Sequence, residues 1–66
     1  MLLKNAIKKL ENAGYTIISN FGSYVATLDS VTISFSAQGD KTSKFTYDSD
    51  SSCAPTYGLN LKQAMS

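Results

Sequence analysis

Apolar positions in the first fourteen residues follow the period of an α-helix. They recur at intervals of three and four and so form one stripe along a helix. The stripe consists of Leu3, Ala6, Ile7, Leu10 and Ala13. Lysine, asparagine and glutamate occupy most positions between them, and Gly14 suits a left-handed residue that closes a helix. We predict a helix from Leu2 to Ala13.

From Tyr15 the apolar period changes to the alternation that is typical of β-strands. The segments YTIIS (15–19), SYVATL (23–28), VTISFSA (31–37) and TSKFTY (42–47) are rich in β-branched and aromatic residues. Turn residues in NFG, DS and QGDK separate them. In 31–37 every second residue is apolar, which indicates an antiparallel sheet with one buried face. We predict four strands, or three if 15–19 is irregular.

The segment after the last strand is predicted to be a solvated loop followed by a short helix. The loop begins with DSDSS (48–52), whose small polar residues favour turns. Gly58 disfavours a helix that begins much before Leu59. Asn60 and Gln63 have the spacing of a helix-capping pair. One face of this helix is expected to carry Tyr57, Leu61 and Met65.

These elements predict one small α+β domain that spans residues 1–66. It comprises an N-terminal helix, a three- to four-stranded antiparallel meander and a short C-terminal helix, with both helices on one face of the sheet. A chain this short buries only about 60% of its unfolded surface, so nearly every large apolar residue is needed in the core. The expected core is Leu3, Ile7, Leu10, Tyr24, Ile17 or Ile18, Val31, Ile33, Phe35, Phe45, Leu61 and Met65. The other sheet face is rich in serine and threonine and is expected to be open to solvent or a partner.

Charge and cysteine content exclude several classes of function. The net charge is +1, which is a weak electrostatic signal for nucleic acid or for an acidic mimic of it. All six basic residues are lysine, so the bidentate guanidinium that favours phosphate and base recognition is missing. The single cysteine, Cys53, cannot form an intrachain disulfide, which fits a reducing compartment. No apolar run approaches the roughly 20 residues of a membrane span, so we expect a cytoplasmic protein and no membrane partner.

The chain lacks the residues from which common catalytic and metal sites are built. It has no histidine, so it has neither the commonest general base nor the commonest zinc ligand. Cys53 has no cation beside it in sequence and is expected to be a small, partly buried thiol. Asp48 and Asp50 lack the glycine and glutamate of a calcium loop. We therefore expect no enzyme activity, no catalytic residue, no cofactor and no metal.

The order of elements resembles a class of small phage-encoded proteins. The segments AGYTI, VTISF and NLKQAM, together with the acidic and serine-rich loop, follow the pattern of a leading helix, an antiparallel meander and a closing NLxQA-like helix. Leu61, Gln63 and Ala64 match the closing pattern. The resemblance implies packing and not a site, and some small phage proteins of this size are anti-CRISPR inhibitors. It therefore implies an inhibitor that acts by binding a host protein.

The leading functional hypothesis is a protein-binding module of phage or mobile-element type that blocks a host protein or complex, for instance a CRISPR effector, by steric occlusion. Its expected contact residues are Tyr15, Phe21, Lys41, Lys44, Asp48, Asp50 and Tyr57. The first alternative is a small nucleic-acid-binding module. It would use Lys4, Lys8, Lys41 and Lys44 for phosphate contacts. The second alternative is a self-associating structural protein that forms a homodimer.

Overall fold

The computed structural model describes residues 1–42, 44–50 and 54–65, and it has the predicted α+β architecture. The elements run in the order helix, sheet, helix. They are α1 (Leu3–Asn12), β1 (Thr16–Asn20), β2 (Ser23–Leu28), β3 (Val31–Ser36), β4 (Phe45–Ser49), β5 (Thr56–Leu59) and α2 (Leu61–Ala64). The antiparallel meander and the short C-terminal helix are therefore confirmed.

Within the described residues the sheet has five strands, one more than the sequence predicts. Their order is β1-β2-β3-β4-β5, and each strand is antiparallel to its neighbours. β5 lies where we expected a loop and the approach to the helix. It pairs Phe45 with Leu59 and Tyr47 with Thr56, so two residues of β5 lie opposite the single Thr46. This is a β-bulge, and Gly58 accommodates it with a φ of 72°.

The C-terminal segment corrects one expectation and confirms another. Tyr57 belongs to β5 and not to the face of the last helix, because the chain is extended as far as Asn60. The predicted capping pair is present. The Asn60 side chain accepts from the Gln63 backbone N–H at 2.8 Å, and the Gln63 side chain accepts from the Asn60 N–H at 3.0 Å. α2 is therefore held at its start although it contains only four residues.

The core lies between the inner face of the sheet and both helices. Its buried apolar residues are Ala6, Leu10, Ala26, Ile33, Phe35, Phe45, Leu61 and Ala64. Leu3, Ile7, Ile17, Tyr24, Val31 and Met65 are partly buried against them. Of the two candidate isoleucines, Ile17 faces the core and Ile18 is 55% exposed. The large buried residues were thus predicted, whereas the buried alanines 26 and 64 and the partly buried Tyr15, Tyr47 and Leu59 were not.

Three aromatic rings lie in a row across the three central strands, on the inner face of the sheet. Tyr24 stacks on Phe35 with ring centroids 5.5 Å apart and nearly parallel planes. Phe35 contacts Phe45 with centroids 5.0 Å apart and tilted planes. Register places the three residues opposite one another on β2, β3 and β4. The row joins three neighbouring strands and places Phe35 at its centre.

The first three residues anchor the connection between β3 and β4. The Leu3 backbone N–H donates to the Asp40 carbonyl at 2.7 Å, and the Thr42 N–H donates to the Met1 carbonyl at 2.9 Å. The Thr42 hydroxyl, which is buried, donates to the Ser36 carbonyl at 2.8 Å. α1 therefore starts beside this connection. Its other end lies beside β1, where the Tyr15 N–H donates to the Leu10 carbonyl at 3.0 Å.

Candidate partner-binding surface

The outer face of the sheet carries most of the serine and threonine residues of the strands. Both helices pack on the inner face, so within the described residues no helix covers the outer one. Strand alternation assigns to it Thr16, Ile18, Asn20, Ser23, Val25, Thr27, Thr32, Ser34, Ser36, Thr46 and Asp48. Among these eleven residues Ile18 and Val25 are the apolar ones, and they are cross-strand neighbours. The face is therefore a polar surface with one small apolar patch.

A groove of about 800 Å³ runs along one end of this outer face. Serine and threonine from β2, β3 and β4 contribute to its floor, and Gln38, Lys41 and Lys44 line it from the connection between β3 and β4. Lys44 alternates with Thr46 along the chain, which places both on the outer side. Lys41 and Lys44, two of the predicted contact residues, thus line the same groove.

Phe21 lies at the same end of the sheet, at the tip of the hairpin that joins β1 to β2. The Gly22 carbonyl accepts from the Ala37 N–H at 3.1 Å, which ties this tip to the start of the connection that carries both lysines. The Phe21 side chain is 104% exposed. Its φ of 48° is in the left-handed region, followed by Gly22 at 83°. Phe21, Lys41 and Lys44 form what we call the aromatic-basic end of the sheet.

The predicted acidic residues lie at the opposite end. Asp48 is the outer-face residue of β4 that pairs with Thr32, and Asp50 follows the strand. The Asp50 N–H donates to the Ser30 carbonyl at 3.2 Å, which places it beside the β2–β3 turn that carries Asp29. All three carboxylates are exposed. The two groups of predicted residues are therefore about one strand length apart.

The two remaining predicted contact residues, both tyrosines, have different surroundings. Tyr15 is partly buried and packs against the core on the inner side. Its burial raises the pKa of the hydroxyl, and the nearby Tyr47 hydroxyl raises it further. Tyr57 is 71% exposed on the edge strand β5, across from Thr46. The structure thus gives Tyr15 a packing role and leaves Tyr57 on the surface.

The four lysines of the nucleic-acid hypothesis do not share one face. Lys4 and Lys8 are exposed on α1, whose buried residues face the inner side of the sheet. Lys41 and Lys44 line the groove of the outer face. A continuous basic track along a nucleic-acid backbone needs its cations on one surface.

An apolar groove that the sequence does not indicate separates the two helices. It measures about 720 Å³, and its apolar lining is Met1, Ala13, Phe45, Leu61 and Met65. Lys9 and Lys62 also line it. The groove exists because α1 contacts β1 whereas α2 contacts β4 and β5. Only the strand order reveals that separation, so helical periodicity could not have found the groove.

The described residues contain no cluster of three or more histidine, cysteine, aspartate or glutamate side chains that would hold a metal ion. Nor is any helix among them long and apolar enough to cross a membrane. Cys53 and the serines at 51 and 52 lie outside the described residues. Comparisons of the chain with protein-family profiles, with curated proteins and with solved structures find no match.

Proposed function

We propose that this protein is a non-enzymatic protein-binding module that acts by covering a surface of its partner. The aromatic-basic end of the outer sheet face is the contact surface. The resemblance to small phage proteins supports a host defence complex, such as a CRISPR effector, as the target. Steric occlusion requires a shaped surface with an anchor and no reacting group.

Phe21 carries this proposal. A left-handed backbone costs an ordinary L-residue roughly 1–2 kcal/mol, and asparagine or glycine is favoured at such hairpin positions. The exposed ring gains nothing in return from packing within its own chain. A bulky residue in a strained conformation at an exposed tip is therefore best explained by a contact outside the chain. Aromatic side chains are the commonest anchors at the centres of protein interfaces.

The surrounding charges predict what the partner surface looks like. Lys41 and Lys44 lie at the same end as Phe21, whereas Asp48 and Asp50 lie at the other end. The outer face thus has a charge gradient although the net charge of the chain is only +1, and the exposed Asp40, which precedes Lys41 but does not line the groove, weakens its basic end. Charges at the rim of an interface chiefly set orientation and association rate. We expect a partner with an apolar pocket for Phe21 and acidic residues beside it.

Affinity capture with two matched hairpin variants tests the proposal. Phe21→Asn removes the ring and creates the Asn-Gly turn that favours a left-handed pair of residues. Asp29→Gly relieves the same kind of backbone at the other hairpin, where φ is 52°. We expect Phe21→Asn to be more stable than the wild type by about 1 kcal/mol, whereas Asp29→Gly should change stability little, because aspartate already tolerates a left-handed backbone. Only Phe21→Asn should lose the captured partner.

Two outcomes would refute the proposal at different levels. Equal capture by the wild type and Phe21→Asn would remove Phe21 as the anchor. Absence of any stoichiometric partner from host lysate, with wild-type protein shown to be folded, would remove the binding-module proposal itself. The target class has its own assay, namely the survival of phage in cells with an active CRISPR system. Survival that is unchanged by expression of the protein would exclude that target.

A further inference from the structure

The two edges of the sheet differ in how well they are protected against pairing. β5 has only four residues, follows Pro55 and carries a bulge at Tyr57 and Gly58. Short strands, nearby proline and bulges are the devices by which natural sheets prevent edge-to-edge association. β1 has none of these devices, since its sequence, TIISN, is uncharged and free of proline and its register is unbroken. In the described part of the chain, β1 has a neighbour on one side only.

Backbone geometry identifies the groups that β1 presents at this edge. The Ala37 N–H donates to the Gly22 carbonyl. Because hydrogen-bonded positions alternate along an antiparallel strand, the backbone groups of the even-numbered residues of β2 form their hydrogen bonds with β3. The odd-numbered residues of β2 therefore form backbone hydrogen bonds with β1, where their partners are Thr16, Ile18 and Asn20. The N–H and C=O groups of Ile17 and Ser19 consequently point away from the sheet. They are the pairing groups of the edge.

The available edge is symmetric about Ile18. On the N-terminal side of Ile18, the Tyr15 N–H already donates to the Leu10 carbonyl. On the C-terminal side of Ile18, the extended conformation ends at Phe21, whose φ is 48°. An antiparallel register centred on Ile18 places Ile17 of each copy opposite Ser19 of the other, so that both pairs exchange two hydrogen bonds. Centring on Ile17 or Ser19 would instead require the occupied Tyr15 N–H or the turn residue Phe21.

The helix on the inner face does not obstruct this pairing. α1 starts beside the β3–β4 connection at Asp40, contacts β1 and ends beside the start of that strand at Tyr15. It therefore crosses the inner face obliquely and packs on that face, whereas the pairing groups of β1 point outward in the plane of the sheet. On the outer face, Ile18 is an apolar side chain that is 55% exposed beside its cross-strand neighbour Val25. Pairing would pack it against Ile18 of the second copy.

We propose that two copies of this chain associate through β1, antiparallel and centred on Ile18, into one continuous sheet. Such a dimer is closed by its two-fold axis, which explains why an unprotected edge need not lead to filaments. It presents two aromatic-basic ends, one at each diagonal corner of the joined sheet. A five-residue edge buries less than a standard interface, so we expect association in the micromolar range or weaker.

Cysteine cross-linking tests both the dimer and its register. The tests use the full chain with Cys53→Ser, so that the only thiol is the introduced one. In the proposed register the two Ile18 Cα atoms are about 4.5 Å apart, as in a non-hydrogen-bonded pair. That separation suits a disulfide, whose Cα atoms lie about 4.4–6.8 Å apart. Ile18→Cys should therefore form a covalent dimer under mild oxidation.

Two further cysteine variants are matched controls. Thr16 lies opposite Asn20 of the other copy, and the two Thr16 residues are about 14 Å apart along the strand. Thr16→Cys alone and Asn20→Cys alone should stay monomeric on denaturing gels, whereas their mixture should give the mixed dimer. Cross-linking of Thr16→Cys alone, or no preference for Ile18→Cys, would overturn the proposed register and with it the proposal.

Sedimentation over increasing concentration tests the association without a covalent bond. The wild type should move from monomer towards dimer, and Ile18→Lys should stay monomeric because like charges would face each other. Ser36→Lys, on the same face but two strands from the edge, should associate as the wild type does. A wild type that is monomeric up to millimolar concentration would overturn the proposal. So would capture of a host protein that Ile18→Lys abolishes, since the edge would then serve that protein.

This inference and the proposed function fail independently. Ile18 is not part of the aromatic-basic end, so Ile18→Lys should keep the partner that Phe21→Asn loses. Conversely, Phe21→Asn should keep the concentration-dependent dimer, because the turn lies beyond the last paired residue. Loss of dimerisation in Phe21→Asn with an intact fold would contradict the register.

Discussion

Replacing Phe35 by alanine removes the aromatic ring by which the central strand, β3, packs in the core. Phe35 is 4% exposed and lies between the rings of Tyr24 and Phe45, with centroids 5.5 and 5.0 Å away. Truncating a buried phenylalanine costs about 3–5 kcal/mol, and each lost ring contact is worth about 0.5–1.5 kcal/mol beyond the buried area. At roughly 0.05–0.15 kcal/mol per residue, a 66-residue chain has a total stability of about 3–10 kcal/mol. We expect Phe35→Ala to be largely unfolded.

Phe21→Ala is the matched control, because it makes the same chemical change at a fully exposed position. We expect its melting temperature to stay within a few degrees of the wild type. Phe35→Leu keeps most of the volume and should fold with a lower midpoint, since about 1 kcal/mol corresponds to roughly 4–8 °C in a domain of this size. Thermal melts followed by circular dichroism and by amide proton dispersion would measure all three variants.

The reasoning would be refuted by a cooperative Phe35→Ala melt with a midpoint close to that of the wild type. That result would mean that the three-ring row contributes little and that the helices stabilise the sheet without it. Equal losses in Phe35→Ala and Phe21→Ala would be equally damaging, because exposure would then not determine the cost.

Three further changes test other parts of the structure. The pKa of the Tyr15 hydroxyl is raised in the folded protein, so the stability that this shift contributes is fully present below about pH 10 and is lost as the pH rises through the folded pKa. A difference in urea midpoint between the wild type and Tyr15→Phe that does not change at alkaline pH would contradict this. Asn60→Ala removes the capping box of α2 and should cost about 1 kcal/mol in chemical denaturation, whereas no measurable loss would show that α2 is held by packing alone. Ending the chain after Pro55 removes β5 and α2 and with them the buried Leu61, worth about 1.5–3 kcal/mol by itself; we expect a molten or aggregating product, and sharp, dispersed amide resonances would count against it.

The pattern of apolar residues predicts the helices, four strands and most of the core, because each of these leaves a clear period. It cannot choose between Ile17 and Ile18, since two adjacent apolar residues fit either face until the register with β2 is known. It also misses β5. Tyr57 falls at helical spacing from Leu61, and the bulge at Gly58 interrupts the alternation that would otherwise indicate a strand.

Less of the candidate surface was accessible from the sequence. Phe21, Lys41 and Lys44 were each named as contact residues, but their common location depends on the meander order, which brings the β1–β2 turn beside the end of β3. The same order carries Asp48 and Asp50 to the other end. Tyr15, also named as a contact residue, instead packs against the core near Tyr47. Sequence patterns thus identified residues but not their neighbours.

The attachment of the first residues to the connection after β3 has a consequence for the order of folding. Adjacent strands in this meander are also adjacent in sequence, so hairpins can form locally and rapidly, without slow long-range searches. The hydrogen bonds of Met1 and Leu3, however, reach residues 40 and 42. Although α1 is synthesised before the sheet, its start cannot be anchored until three strands and that connection have left the ribosome. During translation the apolar stripe of α1 would therefore remain incompletely covered and open to chaperones and to aggregation.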